Sequence, residues 1–125
     1  MFSVGIDSIE ICRIEKAIKN PRFCRRVFGE AEYSLLAMRG FSAQSAAASF
    51  CAKEAFSKAL GTGVRGFRLS EVELLRDDVG APFLQLSGNA LKIARERGLR
   101  FSVSVTHTRE LATVIVIAEK EEVSE

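Results

Sequence analysis

The sequence predicts a single α+β domain in which an antiparallel sheet packs against a long central helix and shorter helices. Strand patterns lie towards both ends of the chain, the longest helical pattern lies between them, and no repeat or linker interrupts the order. The 125 residues, 47% hydrophobic and 27% charged, suit one ordinary globular core. We therefore expect one domain over residues 1–119 and an acidic, frayed tail over residues 120–125.

The first half of the chain predicts one strand and then helices. A β-rich run from Phe2 to Ile6 predicts a strand that ends at Asp7, and Asp7-x-x-Glu10 has the pattern of a capping box in which Asp7 is the N-cap of a helix. Asn20-Pro21 ends this helix. Further helices are predicted over 22–27, 30–38, 42–60 and 89–97, the third of them with an alanine-rich face and a terminal Gly-Thr-Gly.

The second half supplies the other strands. A hairpin is predicted from 69–76 and 82–86, joined by a turn at 77–80. Residues 101–107 alternate between polar and mostly apolar side chains, which predicts a strand with one solvated face. Residues 111–119 are apolar on both faces, so they predict the central strand.

Charge and cysteine content limit the function classes. Eighteen basic residues against 16 acidic ones give a net charge of +2, too small for a bulk polyanion binder. Cys12, Cys24 and Cys51 form no C-x-x-C motif, which predicts buried, reduced thiols and a cytoplasmic protein. The longest apolar run is too short to span a bilayer, and no targeting segment is recognisable.

Two carboxylates from separate elements, Asp7 and Glu54, could hold one hard cation such as Mg²⁺. The alternatives are that Asp7 only caps its helix and that Glu54 only pairs with Lys58 across one helical turn. Lys53, Lys58 and the glycine turn at 61–63 could contact a phosphate, although glycines also commonly end helices.

Two further clusters stand out. His107 is the chain's only histidine, and two interpretations are open for it. It is a core or edge residue of its strand, or it belongs with its polar neighbours to a group that contacts a ligand phosphate. Six basic residues against one acidic residue lie within 13–26. This segment is either a solvated face or a surface for nucleic acid, an anionic membrane or an acidic protein.

Several segments together resemble the holo-[acyl-carrier-protein] synthases. These are Gly5-Ile6-Asp7 with Arg13, then Phe23, Arg26 and Glu32; the run FCAKEAFSKALGTG at 50–63; Gly80-Ala81-Pro82; and VSVTHT at 103–108. The resemblance covers residues 4 to 119. It implies the 4′-phosphopantetheinyl transferase fold and the Mg²⁺-dependent transfer of phosphopantetheine from coenzyme A to a serine of apo acyl carrier protein. Adenosine 3′,5′-bisphosphate is the second product, and the reaction supports fatty acid biosynthesis.

The resemblance also implies residue roles. Asp7 and Glu54 would bind Mg²⁺, and Lys58 would neutralise phosphate charge or assist proton transfer. The coenzyme A site would be lined by Lys53, Ser57, Lys58, Gly61, Gly63, Pro82, Ser104, Thr106, His107 and Thr108. The carrier protein would dock on Arg13, Lys16, Arg22, Phe23 and Arg26. The family resemblance further implies a homotrimer with active sites between subunits, without nucleic acid or membrane as a partner.

Two positions depart from the family pattern. Ser49 stands where an Arg is common, and Ala81 stands where the turn usually carries a Lys. Both departures predict altered contacts with coenzyme A rather than a different reaction. A rival hypothesis from another class is a non-catalytic binder of acidic carrier-type proteins that uses only the basic segment 13–26.

Overall fold

Two antiparallel sheets and five helices form the structure, a computed structural model that describes residues 1–61, 63 and 65–121. In chain order the elements are β1 (Phe2–Glu10), α1 (Ile11–Ala17), α2 (Pro21–Val27), α3 (Glu30–Met38), α4 (Ala43–Leu60), a 3₁₀ turn (Leu69–Glu71), β2 (Val72–Arg76), β3 (Pro82–Leu86), α5 (Gly88–Arg97), β4 (Leu99–His107) and β5 (Leu111–Lys120). The predicted α+β class is confirmed.

The larger sheet has the order β1-β5-β4, and β2 and β3 form a separate hairpin. The central strand of the larger sheet is β5, as the apolar pattern on both faces of this strand predicts. The α4 helix packs on one face of this sheet. Its small residues, among them Ala52, Ala55 and Ala59, meet Val114 and Val116 of β5 in a buried cluster.

Local sequence signals set most of the helix ends. Ser42 caps α4 by accepting a hydrogen bond of 3.1 Å from the Ser45 N–H, and Gly61 ends α4 in the left-handed conformation with φ of 78°. Pro21 begins α2, where its missing N–H costs no helical bond, and Asn20 caps that helix. Among the described residues, no helix is long and apolar enough to cross a membrane.

The predicted first helix boundary is wrong. Asp7 does not cap a helix, because β1 continues to Glu10 and Asp7 pairs with Val114 of β5. The α1 helix begins at Ile11, whose N–H donates to the Glu110 carbonyl. Strand pairing over the full length of β1 outweighs the local capping pattern.

Two further expectations about burial and the tail need correction. Cys24 and Cys51 are buried as predicted, but Cys12 is exposed beside Arg13 on the outer face of α1. Lys120, placed in the tail, is the last residue of β5. The rest of the tail from residue 122 onwards, and Thr62 of the glycine turn, lie outside the described residues.

Candidate active site

A close contact between β1 and α4 builds the centre of the site. A Cβ atom on Gly5 would overlap the Ala55 carbonyl oxygen and would lie 2.6 Å from the Ala59 backbone nitrogen. Only glycine permits this approach, because a methyl group would force the strand away from the helix. Asp7 follows two residues later on the same strand face, so its carboxylate is directed towards α4.

Lys58 lies opposite Asp7 in the last turn of α4. Its ammonium donates to the Ile6 carbonyl at 3.0 Å and to Asp7 Oδ1 at 3.1 Å. Lys58 is more than half exposed and Asp7 is mostly buried. The ammonium therefore reaches across the junction and still faces solvent, where a ligand can approach it.

Glu54 completes this group, one helical turn before Lys58. Partial burial raises the pKa of the Glu54 carboxyl, and the nearby Asp7 charge raises it further, whereas Lys58 lowers it. The two carboxylates are thus close enough to repel each other, and the Lys58 ammonium offsets part of their charge. We name Asp7, Glu54 and Lys58 the carboxylate cluster.

The carboxylate cluster has the donor chemistry of a hard divalent cation. Carboxylate oxygens are preferred ligands of Mg²⁺, which commonly takes only one or two of them and fills its shell with water and phosphate oxygens. Among the described residues, no third Asp, Glu, His or Cys joins a metal-binding group. The arrangement therefore fits a cation that is shared with an oxyanion ligand rather than one enclosed by protein.

Cys51 borders the carboxylate cluster but is not a nucleophile. Its thiol lies at 3.6 Å from the Ala112 carbonyl in the core. Burial and the Asp7 charge raise its pKa to about 12. A thiol with this pKa stays protonated and unreactive near neutral pH.

The structure does not place Lys53 with the predicted coenzyme A residues. Its side chain is 0% exposed, and its ammonium donates to Glu32 Oε1 at 2.6 Å and to the Val72 carbonyl. Successive helical residues point about 100° apart, so Lys53 faces the core although its neighbour Glu54 is only half-buried. Lys53 therefore ties α4 to α3 and β2.

Ser57 and the glycine turn lie beside the carboxylate cluster, but their contacts are internal. Ser57 is buried, and its hydroxyl donates to the Glu54 carbonyl at 2.7 Å. Gly61 caps α4, and the Gly63 carbonyl accepts from the Arg65 N–H at 2.9 Å. These residues fix the end of the helix that carries Glu54 and Lys58.

The predicted ligand residues of β4 lie elsewhere in the same protomer. Ser104 and Thr106 are exposed on the sheet face that points away from α4, since they pair with Ile115 and Thr113. His107 Nδ1 lies 2.7 Å from Gln44 Nε2 at the other end of α4. Gln44 and Glu54 are ten residues apart on one helix, about 15 Å at the usual rise.

Thr108, Pro82 and Ser49 also lie away from the carboxylate cluster. Thr108 is exposed in the β4–β5 turn and accepts the Leu111 N–H at 3.1 Å through its hydroxyl, and Pro82 begins β3.

Ser49 is buried beside a small cavity that is also lined by Arg39 and Arg76. Burial lowers the pKa of Arg76, and the charge of Arg39 lowers it further.

Arg39 and Arg76, the two cationic residues beside Ser49, are not among the site residues that the sequence predicts. They come from the end of α3 and the end of β2, and no motif links them to Ser49. Ala81, the second departure from the family pattern, is exposed in the hairpin turn, and its N–H donates to Asp77 Oδ1 at 2.9 Å.

In the basic segment 13–26, the side chains of Arg13, Lys16, Arg22 and Arg26 are exposed on α1 and α2, and we name these four residues the basic surface. Phe23 is stacked on Phe50 of α4 with ring centroids 6.0 Å apart, and Arg26 lies 6.0 Å from the Phe23 ring. Phe50 is one turn before Glu54. The contact between Phe23 and Phe50 therefore places the edge of the basic surface about one helical turn from Glu54 along α4.

The face of the larger sheet opposite α4 is apolar and uncovered in the protomer. Phe2, Val4 and Ile6 of β1 are 65%, 55% and 56% exposed, and Ile117 of β5 lies next to them. Patches of this kind mark interaction surfaces in proteins. We name this set, with Ser104 and Thr106 on the neighbouring strand, the open sheet face.

Comparisons with known proteins agree with the resemblance in the sequence. Residues 3–115 match the model of the 4′-phosphopantetheinyl transferase superfamily. The holo-[acyl-carrier-protein] synthase of Clostridium botulinum (strain Eklund 17B / Type B) is 41% identical over 117 residues, 93% of this chain and 95% of that relative.

Solved structures support the same relationship. The holo-[acyl-carrier-protein] synthase of Neisseria meningitidis superimposes with a TM-score of 0.88 at 30% identity, covering 94% of this chain and 98% of the other. The holo-(acyl-carrier-protein) synthase of Bacillus anthracis, solved in complex with CoA (3′,5′-ADP), gives a TM-score of 0.79 at 31% identity. The match covers 95% of this chain and 96% of the other.

Proposed function

Since the chain belongs to the 4′-phosphopantetheinyl transferase superfamily, among its holo-[acyl-carrier-protein] synthases, we propose how its residues perform this family's reaction. The enzyme transfers the phosphopantetheine group of coenzyme A to a serine hydroxyl of apo acyl carrier protein. The product is the holo carrier protein of fatty acid biosynthesis. The observation that carries the residue assignment is the carboxylate cluster, which faces solvent at the β1–α4 junction.

We assign Mg²⁺ to Asp7 and Glu54. Their mutual repulsion, offset in part by Lys58, leaves a net negative charge that a divalent cation would relieve. Bound there, Mg²⁺ would stabilise the negative charge that develops on the pyrophosphate oxygens of coenzyme A.

The residues of the chain align the reactants and balance charge. As the serine oxygen forms a bond to the β-phosphorus of coenzyme A, the P–O bond to adenosine 3′,5′-bisphosphate breaks, the leaving group keeps the bridging oxygen, and the serine proton passes to solvent water. Lys58, already held by Ile6 and Asp7, donates to the phosphate oxygens. A transfer between two oxygens requires alignment and charge neutralisation more than covalent catalysis, which agrees with the protonated Cys51 thiol.

We further propose a homotrimer in which two subunits share each coenzyme A site. Ser104 and Thr106 lie on the opposite sheet face from Asp7, and His107 lies at the other end of α4 from Glu54. The two groups of one subunit therefore do not converge on one point, which supports a site completed by a second subunit. Packing of the open sheet face against a neighbour would bury its apolar side chains and supply the missing half of each site.

The carrier protein is assigned to the basic surface. Arg13, Lys16, Arg22 and Arg26 would attract an acidic protein and increase its rate of encounter, with Phe23 as the apolar contact. Phe23 packs on Phe50, which lies one helical turn before Glu54. A carrier protein bound at Phe23 would therefore have its serine close to Glu54. We place the reaction in the cytoplasm, in agreement with the free thiols of Cys12, Cys24 and Cys51.

Intact-mass spectrometry tests the assignment. Apo acyl carrier protein incubated with this enzyme, coenzyme A and Mg²⁺ should gain the mass of one phosphopantetheine group, and EDTA or Glu54→Gln should prevent the gain. A Glu54→Gln variant as active as the wild type would remove the metal assignment. Binding of the carrier protein without any transfer would favour the non-catalytic binder instead.

A further inference from the structure

Two arginines border the small cavity beside Ser49, outside both the carboxylate cluster and the basic surface. Arg39 directly follows α3 and Arg76 is the last residue of β2, so two separate elements supply the guanidinium groups. We name Arg39 and Arg76 the arginine pair. The cavity is only about 20 Å³, room for about one water molecule. A larger group would therefore lie outside the cavity, against the guanidinium groups.

The positive charge of the arginine pair is not balanced by a carboxylate. Within the described part of the chain, no Asp or Glu oxygen lies within 4 Å of a side-chain nitrogen of either residue. The neighbouring Asp77 is engaged elsewhere, since its Oδ1 accepts the backbone N–H groups of Val79 and Ala81 at 3.0 and 2.9 Å. Two cations held close together without a carboxylate favour an anionic ligand.

The fold holds the arginine pair in place. Arg76 Nη1 donates to the Gly80 carbonyl at 3.2 Å, which fixes this guanidinium beside the turn between β2 and β3. Leu36, Ala48 and Leu74 are buried and form the apolar wall of the cavity. Beside such a wall, the attraction between a guanidinium and an anion is stronger than in open water.

Arg76 lies between the two positions at which this chain departs from the family pattern. Ser49, where an Arg is common, lines the same cavity as Arg76. Ala81, where a Lys is usual, directly follows Gly80, whose carbonyl Arg76 contacts. Two cations of the family pattern are thus absent, and two cations from other elements border the same part of the molecule.

The arginine pair lies towards the end of α4 that carries His107. Ser45 lines the cavity, and the preceding residue, Gln44, contacts His107 Nδ1 at 2.7 Å. Ser49 is five residues before Glu54, so their side chains point about 140° apart around α4. The arginine pair therefore belongs with the His107 half of the coenzyme A site rather than with the carboxylate cluster of its own subunit.

We propose that the arginine pair binds the 3′-phosphate of coenzyme A and selects this substrate over one that lacks the group. A phosphate monoester carries close to two negative charges at neutral pH, and its oxygens accept parallel hydrogen bonds from planar guanidinium groups. The pyrophosphate of the same molecule is assigned to the carboxylate cluster of the neighbouring subunit. The inference rests on the proposed function and adds to it the residues that recognise the far end of the substrate.

Two substrates that differ only in this group test the proposal, coenzyme A and 3′-dephospho-coenzyme A. For the wild type, kcat/KM should be roughly 10- to 100-fold higher with coenzyme A, the range expected for hydrogen bonds between charged groups. In Arg39→Gln/Arg76→Gln this ratio should fall to about threefold or less, because KM for coenzyme A rises. The matched control is Arg95→Gln, which removes an exposed arginine of α5 and should keep the wild-type ratio.

Equilibrium binding supplies a second readout that needs no transfer. Isothermal titration calorimetry should show weaker binding of adenosine 3′,5′-bisphosphate to the double variant, with unchanged binding of adenosine 5′-monophosphate. Arg39→Gln alone changes only an exposed side chain, so the test does not depend on the fold of the double variant. This single variant should lower the substrate ratio about threefold or more.

A wild-type ratio in both variants would overturn the proposal while leaving the transferase assignment intact. Equal losses with the two substrates would overturn it too, because the arginines would then act on the fold or on the pyrophosphate. Dissociation of the double variant on size-exclusion chromatography, with the ratio unchanged, would replace the ligand by a contact between subunits. Failure of the wild type to modify any carrier protein would instead remove the proposed function on which the inference rests.

Discussion

The Lys58 ammonium donates a hydrogen bond of 3.1 Å to Asp7 Oδ1, which joins the last turn of α4 to the middle of β1. This contact exists because β1 lies unusually close to α4 at Gly5. It brings two residues that are 51 positions apart in the sequence to the same solvent-facing junction, beside Glu54.

Asp7→Asn should lower the rate of phosphopantetheine transfer by roughly 100-fold or more and should raise the Mg²⁺ concentration needed for half-maximal rate, because one of the two proposed carboxylate ligands is lost. The measurement is the initial rate as a function of Mg²⁺. Glu96→Gln, on the exposed side of α5, is the matched control and should behave like the wild type. Wild-type Mg²⁺ dependence in Asp7→Asn would remove this residue from the site.

Gly5→Ala should reduce both stability and activity. The added methyl overlaps the Ala55 carbonyl, so we expect about 1–3 kcal/mol of destabilisation and a displacement of Asp7 from Lys58. Gly98→Ala is the control. No atom lies within 4 Å of the position of its Cβ, so the added methyl overlaps nothing, but the φ of 62° strains any residue other than glycine. It should lose about 1 kcal/mol and keep normal kcat. Equal activity of the two variants would show that the close approach of β1 to α4 does not position Asp7.

Lys53→Met should destabilise the fold by about 3–5 kcal/mol, because it leaves the buried Glu32 carboxylate without its partner. Adding Glu32→Gln should recover part of this loss, since a neutral amide is cheaper to bury than an unpaired charge. Urea unfolding at a fixed protein concentration measures both effects. If Lys53→Met instead unfolds like the wild type and only raises KM for coenzyme A, Lys53 contacts the ligand after all.

Alkylation at pH 8 should modify Cys12 and spare Cys51. Cys12 is exposed, whereas the Cys51 thiol is buried and has its pKa raised to about 12. At pH 8 only about one Cys51 thiol in ten thousand is then ionised. Iodoacetamide labelling followed by peptide mass spectrometry checks this, and denatured protein supplies the fully labelled control. Rapid native labelling of Cys51 would contradict its buried environment.

The sequence predicted those elements whose signals are local. The bounds of α3, the cap and the end of α4, and the hairpin turn follow from Ser, Gly and Pro positions that act within a few residues. Asp7 shows the opposite case. Its capping pattern is local, but the actual conformation comes from pairing with Val114, more than 100 residues away in the chain, which no local pattern reveals.

The same distinction holds for the candidate site. Asp7, Glu54 and Lys58 were predicted together and are close together in the structure. The position of Lys53 next to Glu54 in the sequence predicts a place in the same site, but the helical twist directs its side chain into the core. The alternation in β4 correctly separated Ser104 and Thr106 from their apolar neighbours. It could not show which of the two faces meets α4, because that depends on how the sheet packs.

Mixed oligomers test most directly the central claim, that the carboxylate cluster of one subunit works with the His107 end of β4 of its neighbour. Glu54→Gln removes one half of the site, and His107→Glu places a repelling carboxylate in the other, so each variant alone should be inactive. The two variants, co-expressed with different affinity tags and purified through both, should together regain about a third of wild-type activity, because every trimer that contains both variants has two intact halves in one of its three sites. A doubly tagged oligomer as inactive as either variant alone would contradict the shared site.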